Sequence, residues 1–492
     1  MMRRIKTIRL NLMSDTSKLM AAASRSVSRR SMLMTSGLPL TMAAPAATPE
    51  TNGCPLRLTL RAARATPAAE MLQGMGLNTH FSFLDTAYHT RYAEVRQRLM
   101  ALGLRRVRDA PNARIADLAR DGISTLLLCE PAFGTPAGIV GRVAALNVAT
   151  PGAVDGLEGP NEPDIYWPRL GHRHLGQGWP EGVASFVADL RAALQSNPRT
   201  RELPLIGPAL GLAGTAGSPH VPALDTLWRH VDLGNAHPYP YNGNPHAPAG
   251  SPYGTLSSPW RHGTQPSVNI AEQDQALEVP RRLYPGLPLA ATETGYPAGS
   301  HFTDEALHAC YVPRLYAEYH RLGFKRTYLY QLLDWHVDTT GRDPEGAFGL
   351  LRADLSERPA FATLARLCTL LHGAGASGAN SSALLAAELD LEVLGAPDFP
   401  DVAKRVHHLL LRGDGRLLLL IWHEVSGEDA STASPRRRID VSLLPGRLRL
   451  DRPMAYVVET LAPSAEPPRS GHEREIDFAV GEAVVAVVLT PR

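Results

Sequence analysis

Two stretches of the chain carry residue types that can do chemistry together. They are GLEGPNEPDIYWP, from Gly156 to Pro168, and LPLAATETGY, from Leu287 to Tyr296. Each ends an apolar run in a carboxylate, Glu162 within Asn161-Glu162-Pro163 and Glu293 within Glu293-Thr294-Gly295. Taken alone, either motif reads as a polar turn after a strand. Held across one cleft, two carboxylates can divide a reaction. One protonates a leaving oxygen, and the other attacks the carbon or activates a water that does, as in cleavage of a glycosidic bond. That reading needs a scaffold that brings the two glutamates together.

The intervening sequence supplies one. Eight short apolar runs alternate with polar loops and amphipathic stretches between Met75 and Leu371. The runs are Met75 to Phe83, Leu104 to Arg108, Ile123 to Cys129, Val154 to Glu162, Leu203 to Pro208, Val231 to Tyr239, Leu287 to Tyr296 and Lys325 to Trp335. Helical patterns lie between them, at Arg91 to Leu102, Gly182 to Gln195 and Asp304 to Leu322. Strands alternating with helices predict parallel βαβ units, and eight such units predict an α/β fold of the (β/α)8 barrel type. An open doubly wound sheet is the alternative; no Gly-x-Gly-x-x-Gly follows the first strand to favour it. In a barrel the chemistry sits at the C-terminal ends of the strands. The residues there are His80, Arg108 with Asp109, Asn161 with Glu162, His237 with Tyr239, Glu293, and Asp334 with Trp335.

Asn-Glu-Pro ending the fourth strand, with a glutamate ending the seventh, resembles the pattern of glycoside hydrolase clan A, the retaining (β/α)8 glycosidases. The resemblance covers roughly 300 of 492 residues. GPNEPD, HPYPY, ATETGY and FGLLRADLSERPAFATL look most similar to families 39 and 5 of that clan, and family 39 carries an appended β-sandwich. The resemblance implies Glu162 as general acid/base and Glu293 as the nucleophile. It implies Asn161 as the partner of the sugar 2-hydroxyl and Arg108 as the charge that keeps the nucleophile ionised. His237 and Tyr239 would support the two glutamates, with their separate roles left open. Trp335 would floor the first sugar subsite.

Other residues are read from the sequence alone. Glu158 is expected on the same strand face as Glu162, as a buried polar group deeper in the barrel. His80 is open between substrate contact and packing. The long loops after the fourth and sixth strands carry Trp167, Trp179, Tyr241, Tyr253 and Trp260, flat faces on which sugar rings could stack. His172 and His174 have a metal-like spacing but read as loop residues, so no metal site is expected. No cofactor is expected either, because carboxyl groups and water suffice for both steps.

The ends of the chain differ from its middle. Ser24 to Glu50 contains Arg29-Arg30, a modest apolar stretch and Ala44-Pro45-Ala46, which reads as an export signal of the twin-arginine type occupying residues 1–47. Residues 1–47 hold eight Lys/Arg and one Asp, so without them the formal charge falls from +2 to −5. An acidic remainder argues against a nucleic-acid partner. Residues 48–74 read as a linker, with Cys54 to Ala62 a candidate strand that joins a later domain. The barrel is assigned to residues 75–371 and a small-residue linker to 372–383. Residues 384–492 are rich in strand patterns, including RGDGR, a hairpin signal, and are expected to form a small all-β sandwich that braces the barrel. The four cysteines, Cys54, Cys129, Cys310 and Cys368, show no Cys-x-x-Cys and are expected mostly free. The expectation is therefore an exported, periplasmic or extracellular, monomeric retaining β-glycosidase acting on a poly- or oligosaccharide, without stable membrane insertion. A transglycosylase, or a glycan-binding barrel of a polysaccharide assembly or secretion system with little turnover, are the competing readings. A barrel enzyme using metal or phosphate chemistry is a third.

Overall fold

A computed structural model of the protein describes residues 55–211, 221–239, 278–373, 386–395, 402–425, 427–428, 438, 440–463 and 466–490. The expected export signal, Cys54, most of the expected linker after the barrel, and Tyr241, Tyr253 and Trp260 lie outside these residues.

The described chain starts with two strands, β1 (Leu56–Arg61) and β2 (Thr66–Pro67), and then enters a parallel sheet of eight. Its strands are β3 (Met75–Asn78), β4 (Arg106–Asp109), β5 (Ser124–Leu128), β6 (Val154–Glu158), β7 (Leu205–Ile206), β8 (Gly234–Ala236), β9 (Leu289–Thr294) and β10 (Arg326–Leu329). Hydrogen bonding follows the order β7-β6-β5-β4-β3-β10-β9-β8. A parallel bridge from Ile206 to Leu233 draws the two ends of this path together, so the sheet is a nearly closed barrel. Each strand is shorter than the apolar run that signalled it, and in all but β4 the run continues past the strand towards the barrel mouth.

Helices clothe the outside: α1 (Tyr92–Leu102), α2 (Ile115–Arg120), α3 (Pro136–Ala149), α4 (Pro163–Leu170), α5 (Glu181–Ser196), α6 (Glu278–Leu283), α7 (Glu305–Arg321) and α8 (Pro359–Gly373). The ends of α3 and α7 follow from sequence. Thr135 caps α3, with Pro136 at its first position, and Asp304 accepts the amides of Ala306 and Leu307 to start α7. Helix α7 is buried without interruption from Leu307 to Tyr319, which is the signature of a helix covered on all sides.

What covers its outer side is a second sheet. It comprises β1, β2, β11 (Glu388–Val393), β12 (Val406–Gly413), β13 (Arg416–His423), β14 (Leu444–Thr460), β15 (Arg469–Val480) and β16 (Val485–Thr490). The order is β1-β11-β14-β16-β13-β12-β2, with β15 also on β14, and the sheet curls around its own core. Strand β14 changes partners along its length: its first half pairs with β11 and its second with β16. The register slips between Arg449 and Met454, at Pro453, where a residue without an N–H is tolerated at a bulge. Asp414 (φ 48°) and Gly415 (φ 69°) both take left-handed backbone between β12 and β13, the geometry that a two-residue hairpin demands.

The run LLLLIW in β13 has no polar alternation because both its faces are buried. Leu417, Leu419 and Ile421 enter the core of the curled sheet. Leu418, Leu420 and Trp422 pack with Met71, Tyr316, Leu364 and Leu367 in a cluster shared with the barrel. Arg314 of α7 donates from one nitrogen to the carbonyls of His423, Val425 and Glu482. Beside it, Nδ1 of His407 lies 2.9 Å from Glu318 of α7 and 3.3 Å from Glu424. Cys129, Cys310 and Cys368 are free and buried. No helix among the described residues is long and apolar enough to cross a membrane.

Candidate active site

Glu293 belongs to the last turn-inward residues of β9, whereas Glu162 stands beyond the end of β6. Gly159 gives its N–H to Ile206, Pro160 has none to give, and the strand stops. Glu162 is then the residue that starts α4, held in left-handed backbone (φ 40°, ψ 55°) ahead of Pro163. Such a conformation is uncommon for a residue with a side chain and concentrates at functional sites. This corrects the expectation that Glu158 and Glu162 share a strand face: Glu158 ends β6, and Glu162 lies past the break. Gly211 keeps room beside Glu162, since a Cβ there would come within 3.0 Å of the Glu162 carboxyl carbon.

Arg108 organises the floor of the mouth. Its Nε and one Nη donate to Glu158 at 2.6 and 2.9 Å. Its other Nη donates to Glu293 at 2.6 Å and to Asn78 at 3.0 Å. Asn161 Oδ1 accepts a further bond at 2.6 Å. Because a guanidinium only donates, the oxygen of Asn161 must face Arg108, leaving its amide NH2 for another acceptor. Tyr239 donates its hydroxyl to the second oxygen of Glu293 at 2.8 Å. His237 lies with Nδ1 2.9 Å from Glu162 and 3.7 Å from Glu293. Its Nε2 is 3.0 Å from Thr292 Oγ1, whose own proton has acceptors in Glu158 at 2.9 Å and Asn235 at 3.0 Å. Thr292 therefore accepts from Nε2–H, and the single proton between Nδ1 and Glu162 is shared by that pair.

The two glutamates have opposite electrostatics. Burial pushes Glu162 up, and contact with His237 only partly opposes it. Burial pushes Glu293 up as well, but His237, Arg108 and the Tyr239 hydroxyl outweigh it and hold the carboxyl at about 2. His237 is raised despite its burial, by Glu293 and Glu162. One group stays ionised while its neighbour tends to keep a proton, the separation that an acid and a nucleophile need.

Among the described residues, Glu162, His237 and Glu293 also form a group whose ligand atoms lie within 4.8 Å of one another. A cation there would meet the Arg108 guanidinium already bonded to Glu293, so these residues fit a metal poorly. The other such group is Glu318, His407 and Glu424, at the interface of the two sheets' domains. His172 and His174 belong to neither; His174 pairs with Asp189 at 2.7 Å.

The remaining expected residues divide. Trp335 and His80 are partly exposed and meet edge-to-face at 5.1 Å, with Phe83 stacked on His80 at 4.6 Å. Nε1 of Trp335 donates to Gln331 at 2.7 Å. Trp167 is not a sugar platform: it is 1 % exposed and packs beside Phe186. It falls on the inner side of α4, where an aromatic serves the core. Asp334 is bonded to Arg358 and the Gly349 amide and is structural. Sequence reading passed over Asn78, Asn235 and Thr292, which brace Arg108, Glu158 and His237, and Glu130, which accepts the Asn161 amide at 2.6 Å. It also passed over Glu345, which accepts from Tyr330 at 2.8 Å and is raised to about 7 by burial. Asn78 and Glu130 stand at or just past barrel strand ends, the one signal that could have found them, whereas Asn235 and Thr292 lie within β8 and β9.

The fold and the site together define a (β/α)8 barrel with paired glutamates at its mouth and an appended β domain. Solved structures similar to this one include glycoside hydrolases. One, a family 39 glycoside hydrolase from the gut symbiont Bacteroides cellulosilyticus WH2, aligns over 86 % of this chain and 82 % of its own, with 14 % identity and a TM-score of 0.53. A glucosidase from Croceicoccus marinus aligns over 81 % and 92 %, with 12 % identity and a TM-score of 0.46. AbfB, a family 51 α-L-arabinofuranosidase from Bifidobacterium longum, aligns over 89 % and 98 %, with 12 % identity and a TM-score of 0.45. At these identities the first likeness establishes the shared fold. No protein-family profile and no curated protein matches the sequence.

Proposed function

We propose that the protein is an exported retaining β-glycosidase that hydrolyses a poly- or oligosaccharide by double displacement. The observation that carries this reading is the placement of Glu162 and Glu293 on either side of His237, with the three groups' nearest atoms within 4.8 Å. Retaining pairs stand about 5–5.5 Å apart and inverting pairs about 6.5–9.5 Å, the wider gap leaving room for a water.

In the first step Glu162 gives its proton to the glycosidic oxygen as Glu293 attacks the anomeric carbon. The C–O bond to the leaving group breaks and a glycosyl ester on Glu293 forms. In the second, Glu162, now ionised, takes a proton from water. The hydroxide so formed attacks the same carbon and releases Glu293. Asn161 offers its amide NH2 to the 2-hydroxyl, a bond that strengthens in the transition state. Arg108 and Tyr239 keep the nucleophile ionised and aimed, and Trp335 offers an aromatic face. Export rests on the Arg29-Arg30 segment of the sequence.

The test is mass spectrometry of the intact protein after incubation with 2-fluoro glycosides of several β-sugars, which slow the second step. A sugar adduct on the peptide containing Glu293, absent in Glu293→Gln, is the expected result. An adduct on another residue overturns the assignment of the nucleophile. No adduct with any sugar, alongside glycan binding that survives both Glu162→Gln and Glu293→Gln, overturns the enzyme reading.

A further inference from the structure

The chain leaving β5 runs alongside the chain leaving β6. Cys129 N–H donates to the Glu158 carbonyl at 3.0 Å, one step past the last paired residues of the two strands. Glu130 follows in extended backbone (φ −130°, ψ 153°), the conformation that Pro131 imposes on the residue before it. Its side chain therefore reaches across to the Asn161–Glu162 turn rather than along its own strand.

There it meets a backbone group that the turn leaves over. Gly159 N–H is bonded to Ile206, and Pro160 has no N–H, so Asn161 carries the next amide that needs a partner. Glu130 Oε1 accepts it at 2.6 Å. The side chain of the same asparagine is bonded to Arg108 at 2.6 Å. On the far side, the Glu162 carbonyl is anchored by the amides of Ile165 and Tyr166 in α4. Between these anchors sits Glu162 in its left-handed conformation, a state that persists only where its surroundings over-determine it.

We infer that Glu130 is a positioning residue for the acid/base: its carboxyl pins the Asn161 amide and so sets where the Glu162 side chain presents its proton. This rests on the glycosidase reading above. Burial pushes Glu130 up to about 8, so near neutral pH it holds the amide as a neutral acceptor, which a glutamine reproduces.

The experiment compares Glu130→Ala and Glu130→Gln with the unmodified protein. The substrates are the 2,4-dinitrophenyl and phenyl glycosides of the sugar that the unmodified enzyme cleaves fastest. Dinitrophenolate departs without a proton; phenolate needs one. Glu130→Ala is expected to lower kcat/KM on the phenyl glycoside by about 100-fold, the scale of a small misplacement. On the dinitrophenyl glycoside the loss is expected to stay under about 10-fold, since acid catalysis contributes little there. Glu130→Gln is expected to track the unmodified enzyme on both. Equal losses on the two substrates, no loss, or a glutamine variant as impaired as the alanine one would overturn the inference. Should the alanine variant not fold, Glu130→Asp, one methylene short, takes its place with the same split expected.

Hydrogen exchange at the Asn161 amide gives a readout independent of turnover. It is expected to be slow in the unmodified protein and in Glu130→Gln, and fast in Glu130→Ala. Unchanged exchange in the alanine variant overturns the inference. If no glycoside is cleaved by the unmodified protein, that failure belongs to the proposed function, and the exchange data still decide the role of Glu130.

Discussion

Nδ1 of His237 lies 2.9 Å from the carboxylate of Glu162 and 3.7 Å from that of Glu293. One imidazole therefore lowers the proton affinity of both, in contact with the first and through its charge on the second. Removing it should raise both. In His237→Gln the acid limb of the kcat/KM profile, set by ionisation of Glu293, and the alkaline limb, set by loss of the Glu162 proton, are expected to move to higher pH together. A shift of one limb alone would contradict the arrangement.

Glu162→Gln should separate the two halves of the reaction. Loss of an acid costs about 10²–10⁴-fold on substrates whose leaving group needs a proton. Little loss is expected in the glycosylation step with a 2,4-dinitrophenyl glycoside, and the alkaline limb should vanish. Pre-steady-state release of dinitrophenolate, compared with steady-state turnover, measures this directly.

Arg108 is 5 % exposed and holds Glu158, which is wholly buried, as well as Glu293. Arg108→Ala strands at least one charge in the barrel, which costs on the order of 3–5 kcal/mol of stability. Pairing it with Glu158→Gln should recover part of that loss. Denaturant unfolding of the two single variants and the double variant checks both statements. In the alanine variant Glu293 also loses an influence that lowers it, so the acid limb should rise.

The contact of His407 with Glu318 and Glu424 makes the junction of barrel and β domain sensitive to pH. Burial opposes the charge on His407, but Glu318 and Glu424 raise it to about 9; Glu318 itself, despite burial, is held at about 2 by His407 and Arg321. A histidine raised on folding contributes fully below its unfolded value of about 6.5 and loses that contribution as pH climbs through the folded value. Glu318 contributes above about 4.5 and loses its contribution as pH falls towards about 2. The combined contribution of His407 and Glu318 is therefore largest between those two unfolded values. The melting temperature should decline from near neutral to pH 9, and less steeply in His407→Gln. Equal slopes would exclude His407 as the cause.

Much of this was legible in the sequence, and the reason is periodicity. Seven of the eight barrel strands lie inside the apolar runs that announced them, because a strand buried on both faces needs a continuous run, and β4 passes the end of its run by one residue, Asp109. Asp414-Gly415 announced its hairpin because few other residues accept that backbone. The sequence was less informative wherever a side chain's role depends on depth. Trp167 and Trp335 look alike in a string; only the phase of α4 sends Trp167 into the core. Glu158 and Glu162 look like one strand face until Gly159-Pro160 breaks it. Glu130 and Glu345 carry no motif, since they act by burial against residues distant in the chain.

Strand β1 pairs with β11, and Arg57 reaches Glu392 across 335 positions of chain. As the polypeptide emerges from the ribosome, the edge of β1 has no partner until the whole barrel has been made. The last of the described strands, β16, lies between β13 and β14 at the centre of the same sheet. The β domain can therefore close only once β16 itself has been made. Until then the growing chain carries an unpaired strand edge, the kind of surface on which neighbouring chains aggregate.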